Sequence, residues 1–327
     1  MNVSAPSAES LRAALAGLLD GLPPSQAAKA VERLIANYRG TTPTDTPVLR
    51  DRSDVAAYAA YRMPATFEAV RGALDALREA APDWEPRTHT DVGGGTGAAS
   101  WAVAEAWQEQ PPRTTVLDWA EPALALGREL AAGVLDAEWR RERIGSALRL
   151  PDSDLVTVSY VLKELTEADR TALVTEAARA ARTVVIVEPG TPDGYERIIA
   201  ARTLLVDAGF TVAAPCPHSG ACPIVPGTDW CHFSARVSRS SLHRRVKGGS
   251  LPYEDEKYSY VAATRFPVTP AVSRVTRRPQ IRKGQVLLDL CGPDGLVRDT
   301  VTKRHGPLYK QARDAEWGDP WPPEDAG

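Results

Sequence analysis

Apolar positions recur along the chain with two periods, and the switch between them divides it. Up to about residue 85 they return every three or four places in LRAALAGLLDGL, PSQAAKAVERLIANYRG and VAAYAAYRMPATFEAVRGALDALREA, the spacing of helices with one apolar face. Pro23–Pro24 and the TTPTDTP stretch at 41–47 separate the three. From Thr88 short apolar runs alternate with helical ones: THTDVGGG, ASWAVAEAW, TTVLDW, EPALALGRELAAG, DLVTVSY, EADRTALVTEAARAA, TVVIVEP and DGYERIIAARTLLVDAG, the last closed by Gly209. Short apolar strands between amphipathic helices predict a parallel sheet covered on both faces, a doubly wound α/β fold. Beyond Gly209, FTVAAP, WCHFSARV, YSYVAATR, QVLLDLC and LVRDTVT read as strands, the last two joined by the turn GPDG. They predict one or two antiparallel pairs finishing the sheet, then a small β-rich module from about Val268. The run EDEK, Glu254 to Lys257, reads as a solvated turn. The pattern gives a helical N-terminal domain over 1–85, an α/β domain over 86–267 and the β-rich module over 268–327.

Composition narrows the class. With 327 residues, 43% apolar and 25% charged, the chain is neither disordered, collagenous nor fibrous. Its first residues lack a basic stretch and carry Glu9 and Asp20, so no secretory signal is expected. The longest uncharged run, Ala208 to Thr228, contains Pro215, Pro217, Pro223 and Pro226, which a lipid-exposed helix would not tolerate. A soluble cytoplasmic protein with no membrane partner is expected. In a reducing compartment its four cysteines are poor candidates for disulfides, and metal or cofactor ligation competes with simple burial. The net charge of −3 conceals an asymmetry: Arg236 to Lys310 holds 16 Lys+Arg against 6 Asp+Glu. Such a local excess implies an anionic partner, with nucleic acid the obvious candidate.

DVGGGTG places Asp91 at a strand end and glycines at Gly93, Gly95 and Gly97. Glycine lets the backbone turn sharply beside a ligand, and the following helix presents free N–H groups. Asp118 closes the next strand, where a carboxylate can accept from a ribose diol. The D-x-G-x-G-x-G form resembles the S-adenosylmethionine loop of class I methyltransferases. Read from Gly93 to Ala98, the same residues also satisfy a dinucleotide fingerprint. SYVLKEL (Ser159 to Leu165) lacks the N-P-P-Y tetrad that positions an amine in many methyltransferases. Glu188 suits a general base or a turn ligand, and the sequence names no catalytic residue.

The cysteines follow C-x5-C-x8-C-x59-C: Cys216, Cys222, Cys231 and Cys291. Zinc modules commonly use pairs two to four residues apart, which this chain lacks. Wider spacings with Cys-Pro neighbours fit an iron–sulfur cluster better, while His218 and His232 keep zinc open.

DVGGGTG, SYVLKEL, EPGTPDGYERI, the PCPH…CP…DWCHF block, RSSLHRRVKGGSLPYEDEKYSYV, LLDLCGPDG and AEWGDPWP together resemble the Rsm twenty-two family, methyltransferase-like factors of the mitochondrial small ribosomal subunit with bacterial homologues. The resemblance runs from about Tyr58. It implies a class I S-adenosylmethionine methyltransferase fold, with the donor loop on Asp91, Gly93, Gly95 and Gly97. It also implies work on assembling small-subunit ribosomal RNA and a four-iron four-sulfur cluster on Cys216, Cys222, Cys231 and Cys291. Four thiolates by themselves serve a [2Fe–2S] cluster equally. Whether members methylate anything is open, so a pure binding factor stands as one alternative. A metabolic methyltransferase or dinucleotide enzyme with structural zinc is another. Arg236, Arg239, Arg244, Arg245 and Lys247 follow the third cysteine, and Arg277, Arg278, Arg282 and Lys283 precede the fourth. These nine are the expected RNA contacts, salt-dependent and read mostly by shape.

Overall fold

A computed structural model describes residues 5–18, 25, 28, 29, 31, 32, 52–225, 227–240 and 251–323. Helices α1 (Ala8–Leu18) and α2 (Arg52–Ala80) lead into β1 (Thr88–Val92), α3 (Ala98–Ala106), β2 (Arg113–Asp118), α4 (Glu121–Ala131), β3 (Ala137–Arg141), β4 (Ser153–Ser159), α5 (Glu167–Ala180), β5 (Ala181–Pro189) and α6 (Pro192–Asp207). Then come β6 (Thr211–Ala214), β7 (Phe233–Ser238), β8 (Tyr253–Thr264), β9 (Ser273–Val275), β10 (Gln280–Arg282), β11 (Gln285–Gly292), β12 (Gly295–Thr302), α7 (Pro307–Asp314) and β13 (Pro320–Trp321). The helix expected over PSQAAKAVERLIANYRG falls mostly outside the described residues.

The large sheet has the order β3-β2-β1-β4-β5-β8-β6, with β7 pairing β8 off that path. Strands β3, β2, β1, β4 and β5 are parallel to their neighbours, and β8 runs antiparallel to β5, β6 and β7. The sheet is thus mixed, as the strands after Gly209 led one to expect. Alternate residues of its strands enter two cores. Leu155, Val185 and Val187 face α1 to α4, while Val156, Val158, Val184 and Ile186 face α5 and α6. Burial on both faces explains the nearly unbroken apolar runs of β4 and β5. α2 lies along one face although Pro64 sits inside it. At Gly72 the missing side chain admits the hydroxyl of Tyr258 from β8.

Three sequence expectations need correction. Glu254–Lys257 is not a turn but the start of β8, which overhangs the sheet and pairs with β7. Its charges have partners: Arg239 on Glu254 at 3.3 Å, Arg236 on Asp255 at 3.3 Å and Arg62 on Glu256 at 3.1 Å. β3, AEWRR, went unforeseen because an exposed edge strand with one large apolar residue shows no alternation. α7, a helix of eight residues, was also unforeseen.

The second sheet is antiparallel, ordered β10-β11-β9-β13 with β12 on β11. Val286, Leu288 and Leu290 of β11 point one way, into a small core with Val275, Val301, Ala312 of α7 and Trp321. Strand alternation turns Cys291 to the opposite face.

Candidate functional site

The order of the parallel strands reverses between β1 and β4, and in such sheets ligands bind outside the carboxyl ends at that point. The glycine loop lies there. Gly93, Gly95 and Gly97 have φ of 67°, 55° and 87°, a region closed to most side chains. A Cβ on Gly93 would overlap Val161, which follows β4, and one on Gly97 would overlap the Trp139 ring of β3. Gly93 and Gly94 donate their N–H groups to Leu117 O at 2.7 and 3.2 Å, pinning the loop to β2.

Asp91 and Asp118 build this loop. Asp91 is fully buried; it accepts from Ser100 N at 3.2 Å, Ser100 Oγ at 2.8 Å and Thr157 Oγ1 at 2.9 Å. Burial pushes its carboxyl up to about 6, against those hydrogen bonds. A hydroxyl has one proton, and Thr157 gives its own to Asp91, so His89 Nε2 must donate to Thr157 at 2.8 Å. Asp118 accepts from Gly95 N at 2.9 Å and Ala120 N at 2.8 Å, locking the loop to the end of β2.

Two further carboxylates stand near Asp118. Glu188, at the end of β5, is fully buried and takes Arg197 Nε at 2.6 Å and Leu162 N at 3.0 Å. Of the two roles weighed for it, the structure gives the turn ligand. Glu164 lies in the short turn after Val161 and is exposed. Desolvation by the surrounding protein, then the charges of Asp118 and Glu188, push it up to about 7. Tyr160, between β4 and Val161, holds φ at 60°, and its hydroxyl donates to Glu256 at 3.0 Å beneath Arg62.

The second constellation is sulfur. Cys216 follows β6, Cys222 lies in the next loop, Cys231 precedes β7 and Cys291 comes from β11 of the other sheet. All four are free and half-buried, and their charges influence one another. Burial and the neighbouring sulfurs push the Cys291 thiol up to about 12 and raise Cys231 well above its ordinary value. Among the described residues no three His, Cys, Asp or Glu side chains are grouped so as to hold one metal ion.

The frame around the sulfurs is basic. Arg274 of β9, facing Cys291 across the ladder, donates to Pro215 O at 3.2 Å and Gly318 O at 2.9 Å, joining the module to the end of β6. Arg202 of α6 is 4% exposed and donates to His218 O at 2.8 Å and Gly220 O at 2.7 Å. Its Nε has no partner, and no carboxylate pairs with it among the described residues. Arg202 and Arg274 work against the rise that burial imposes on Cys216. Tyr195 Oη is 3.1 Å from Cys222 Sγ. His232, an alternative ligand by sequence, stacks on Trp230 at 5.2 Å and meets Trp317 edge-on at 4.7 Å. Arg202, Tyr195 and Glu164 escaped the sequence reading. The one available signal was that positions 195 and 202 stand seven apart on one helix.

The expected RNA-contacting residues divide into three groups. Arg236, Arg239 and Arg277 are ion-paired, the last with Asp229 at 2.6 Å. Arg278, Arg282 and Lys283 are exposed on and around β10, with no ion pair among the described residues. Arg244, Arg245 and Lys247 lie outside the described residues.

A parallel β3-β2-β1-β4-β5 core, a glycine loop after β1 and an acidic residue closing β2 define a class I methyltransferase-like protein. Residues 52–322 match the model of the family described as mitochondrial small ribosomal subunit Rsm22, and the chain belongs to that family. It is 31% identical over 285 residues to the ribosome assembly protein METTL17, mitochondrial, of Homo sapiens, covering 80% of this chain and 61% of that one. It is 29% identical over 184 residues to Rsm22-cox11 tandem protein 2, mitochondrial, of Schizosaccharomyces pombe, covering 43% and 24%. The chain thus spans about three fifths of the human relative and a quarter of the yeast one. Among solved structures, magnesium protoporphyrin IX methyltransferase of Synechocystis with bound SAM matches at 14% identity and TM-score 0.40, covering 73% of this chain and 97% of that one. A SAM-dependent methyltransferase from Aquifex aeolicus matches at 16% and 0.40, covering 66% and 100%. No helix among the described residues is long and apolar enough to cross a membrane.

Proposed function

We propose that the chain is a methyltransferase-like assembly factor that binds small-subunit ribosomal RNA. In this reading it takes S-adenosylmethionine at the loop of Gly93, Gly95 and Gly97, and an iron–sulfur cluster on Cys216, Cys222, Cys231 and Cys291. The observation that carries it is that Cys216, Cys222, Cys231 and Cys291 feel one another's charge around Arg202, a buried cation with an orphaned Nε. An uncompensated buried charge is costly, and the surplus negative charge of a four-thiolate cluster would supply the counter-charge. The wide cysteine spacing with Cys-Pro neighbours favours a cluster over zinc, although four thiolates also make a structural zinc site.

Ribosome assembly rests on the family and on the printed role of the human relative. The relatives' printed names place those proteins in mitochondria, and the sequence alone suggests a cytoplasm. Arg278, Arg282 and Lys283 are the available phosphate contacts, and Arg236, Arg239 and Arg277 are held in place by their carboxylates. Asp118 and Glu164 would give the donor cleft the negative field that a sulfonium cation prefers. We take the α/β part over 86–267 and the module from 268 as the two working units, with the cysteines at their junction.

The test is iron and acid-labile sulfide analysis with a visible spectrum on protein purified without oxygen, beside Cys216→Ser/Cys222→Ser, then binding of small-subunit RNA at rising salt. Iron and sulfide lost in the variant, with salt-sensitive binding in the wild type, support the reading; zinc without sulfide overturns the cluster.

A role in binding without methyl transfer is favoured by the fate of Glu188, the strand-end carboxylate weighed as a base, which is spent on Arg197 and Leu162. Transfer of a labelled methyl group to small-subunit RNA decides between them.

A further inference from the structure

α6 reaches the cysteines with two side chains. Tyr195 and Arg202 are seven residues apart, two helical turns, and so share one face. That face is turned to the sulfurs: Tyr195 Oη is 3.1 Å from Cys222 Sγ, and Arg202 holds the carbonyls of His218 and Gly220, inside the loop that joins Cys216 to Cys222. Arg202 is 4% exposed without a carboxylate, and its Nε is unpartnered. A ligated thiolate has no proton to give, so toward it Tyr195 becomes the donor.

We infer that Tyr195 and Arg202 are positioning residues for the sulfur-bound group, setting its reduction potential and its retention through hydrogen bonding and charge. This rests on the cluster reading of the four cysteines. Donors and positive charge near the sulfurs stabilise the reduced, more negative form, and hydrogen bonding to the sulfurs is one of the terms that sets the potential of such clusters. The methyltransferase-like part thereby acts on the metal site from a helix that contributes no ligand.

The experiment is a mediated redox titration of the full chain, purified without oxygen and followed by its visible spectrum, with cluster release to an iron chelator timed in parallel. Arg202→Gln, Arg202→Lys and Tyr195→Phe are compared with the wild type. The expected result is that Arg202→Gln shifts the redox equilibrium at least tenfold toward the oxidised form, about 59 mV for one electron, and releases iron faster. Tyr195→Phe shifts it the same way by less, and Arg202→Lys recovers most of the loss. Unchanged potentials and release in a cluster-bearing Arg202→Gln and Tyr195→Phe overturn the inference while leaving the cluster reading intact. If Arg202→Gln does not fold, Tyr195→Phe, which removes a single oxygen, decides alone. A wild-type protein without iron and sulfide overturns both.

Discussion

His89 and Asp91 sit two residues apart on β1, bridged by Thr157, and burial acts on them in opposite senses. It lowers the imidazole to about 3 from 6.5 and raises the carboxyl to about 6 from 3.8. Between pH 3 and 6.5 the unfolded chain protonates His89 and the folded one does not, so this group costs stability as pH falls. Between pH 3.8 and 6 the folded chain keeps the Asp91 proton that the unfolded one has lost, so that group costs stability as pH rises. The two slopes oppose each other from about pH 4 to 6, each at most about 1.4 kcal/mol per pH unit. Asp91→Asn removes one of them: urea unfolding at pH 4.5, 5.5 and 6.5 should show the variant losing stability on acidification more steeply than the wild type. Glu164, pushed up to about 7, gives the cleft its own pH dependence. Calorimetric affinity for S-adenosylmethionine should rise about three- to tenfold from pH 6 to 8, as expected for a nearby charge in an intermediate dielectric, and Glu164→Gln should flatten that rise.

Elements explain what the sequence could reveal. Strands β4 and β5 were legible because burial on two faces writes a nearly unbroken apolar run, β1 and β2 by their short apolar ends beside the glycine loop and Asp118, and the helices by a period of three to four. The glycine loop after β1 was legible as a motif, and its glycines do take positive φ, but that Asp91 would turn inward was not. β3 left almost no trace, because only Trp139 of its five residues packs inward, against Gly97 and Gly127. Gly127→Ala tests that contact: a helix interior ordinarily gains about 1 kcal/mol from this change, but overlap with the Trp139 ring should make it destabilising by about 1–3 kcal/mol in thermal or urea unfolding. The charged start of β8 misled for a related reason. Glu254, Asp255 and Glu256 look like a solvated run until the Arg62, Arg236 and Arg239 partners are known, and Arg62 is 194 residues from Glu256. Glu256→Ala leaves Arg62 and the Tyr160 hydroxyl without their acceptor and should cost about 2–4 kcal/mol. Arg62→Met/Glu256→Met should cost less than the two single changes together, as a double-mutant cycle of urea unfolding would read.

At the scale of the whole molecule, two sheets with separate cores are joined by Arg274, which donates to Pro215 O and pairs with Glu79, and by Arg277 on Asp229. The four cysteines stood out from residue type and crowding, but the buried arginines near them did not, because Arg202 and Arg274 look like any other arginine in an arginine-rich chain. In the proposed role, RNA retention should fall steeply between low and moderate salt. Arg278→Ala/Arg282→Ala/Lys283→Ala should weaken it and flatten the slope of log affinity against log salt by up to about three contacts, measured by filter binding.

Cys291 belongs to a different sheet from the other three cysteines, and 59 residues separate it from Cys231. A group held by all four acts as a rivet between two plates, and a rivet of iron is only as dependable as the supply of the metal. Under scarcity the same polypeptide would be made with both plates folded but the joint unfastened. In the proposed reading, the fastening of the two parts would then report the supply of iron.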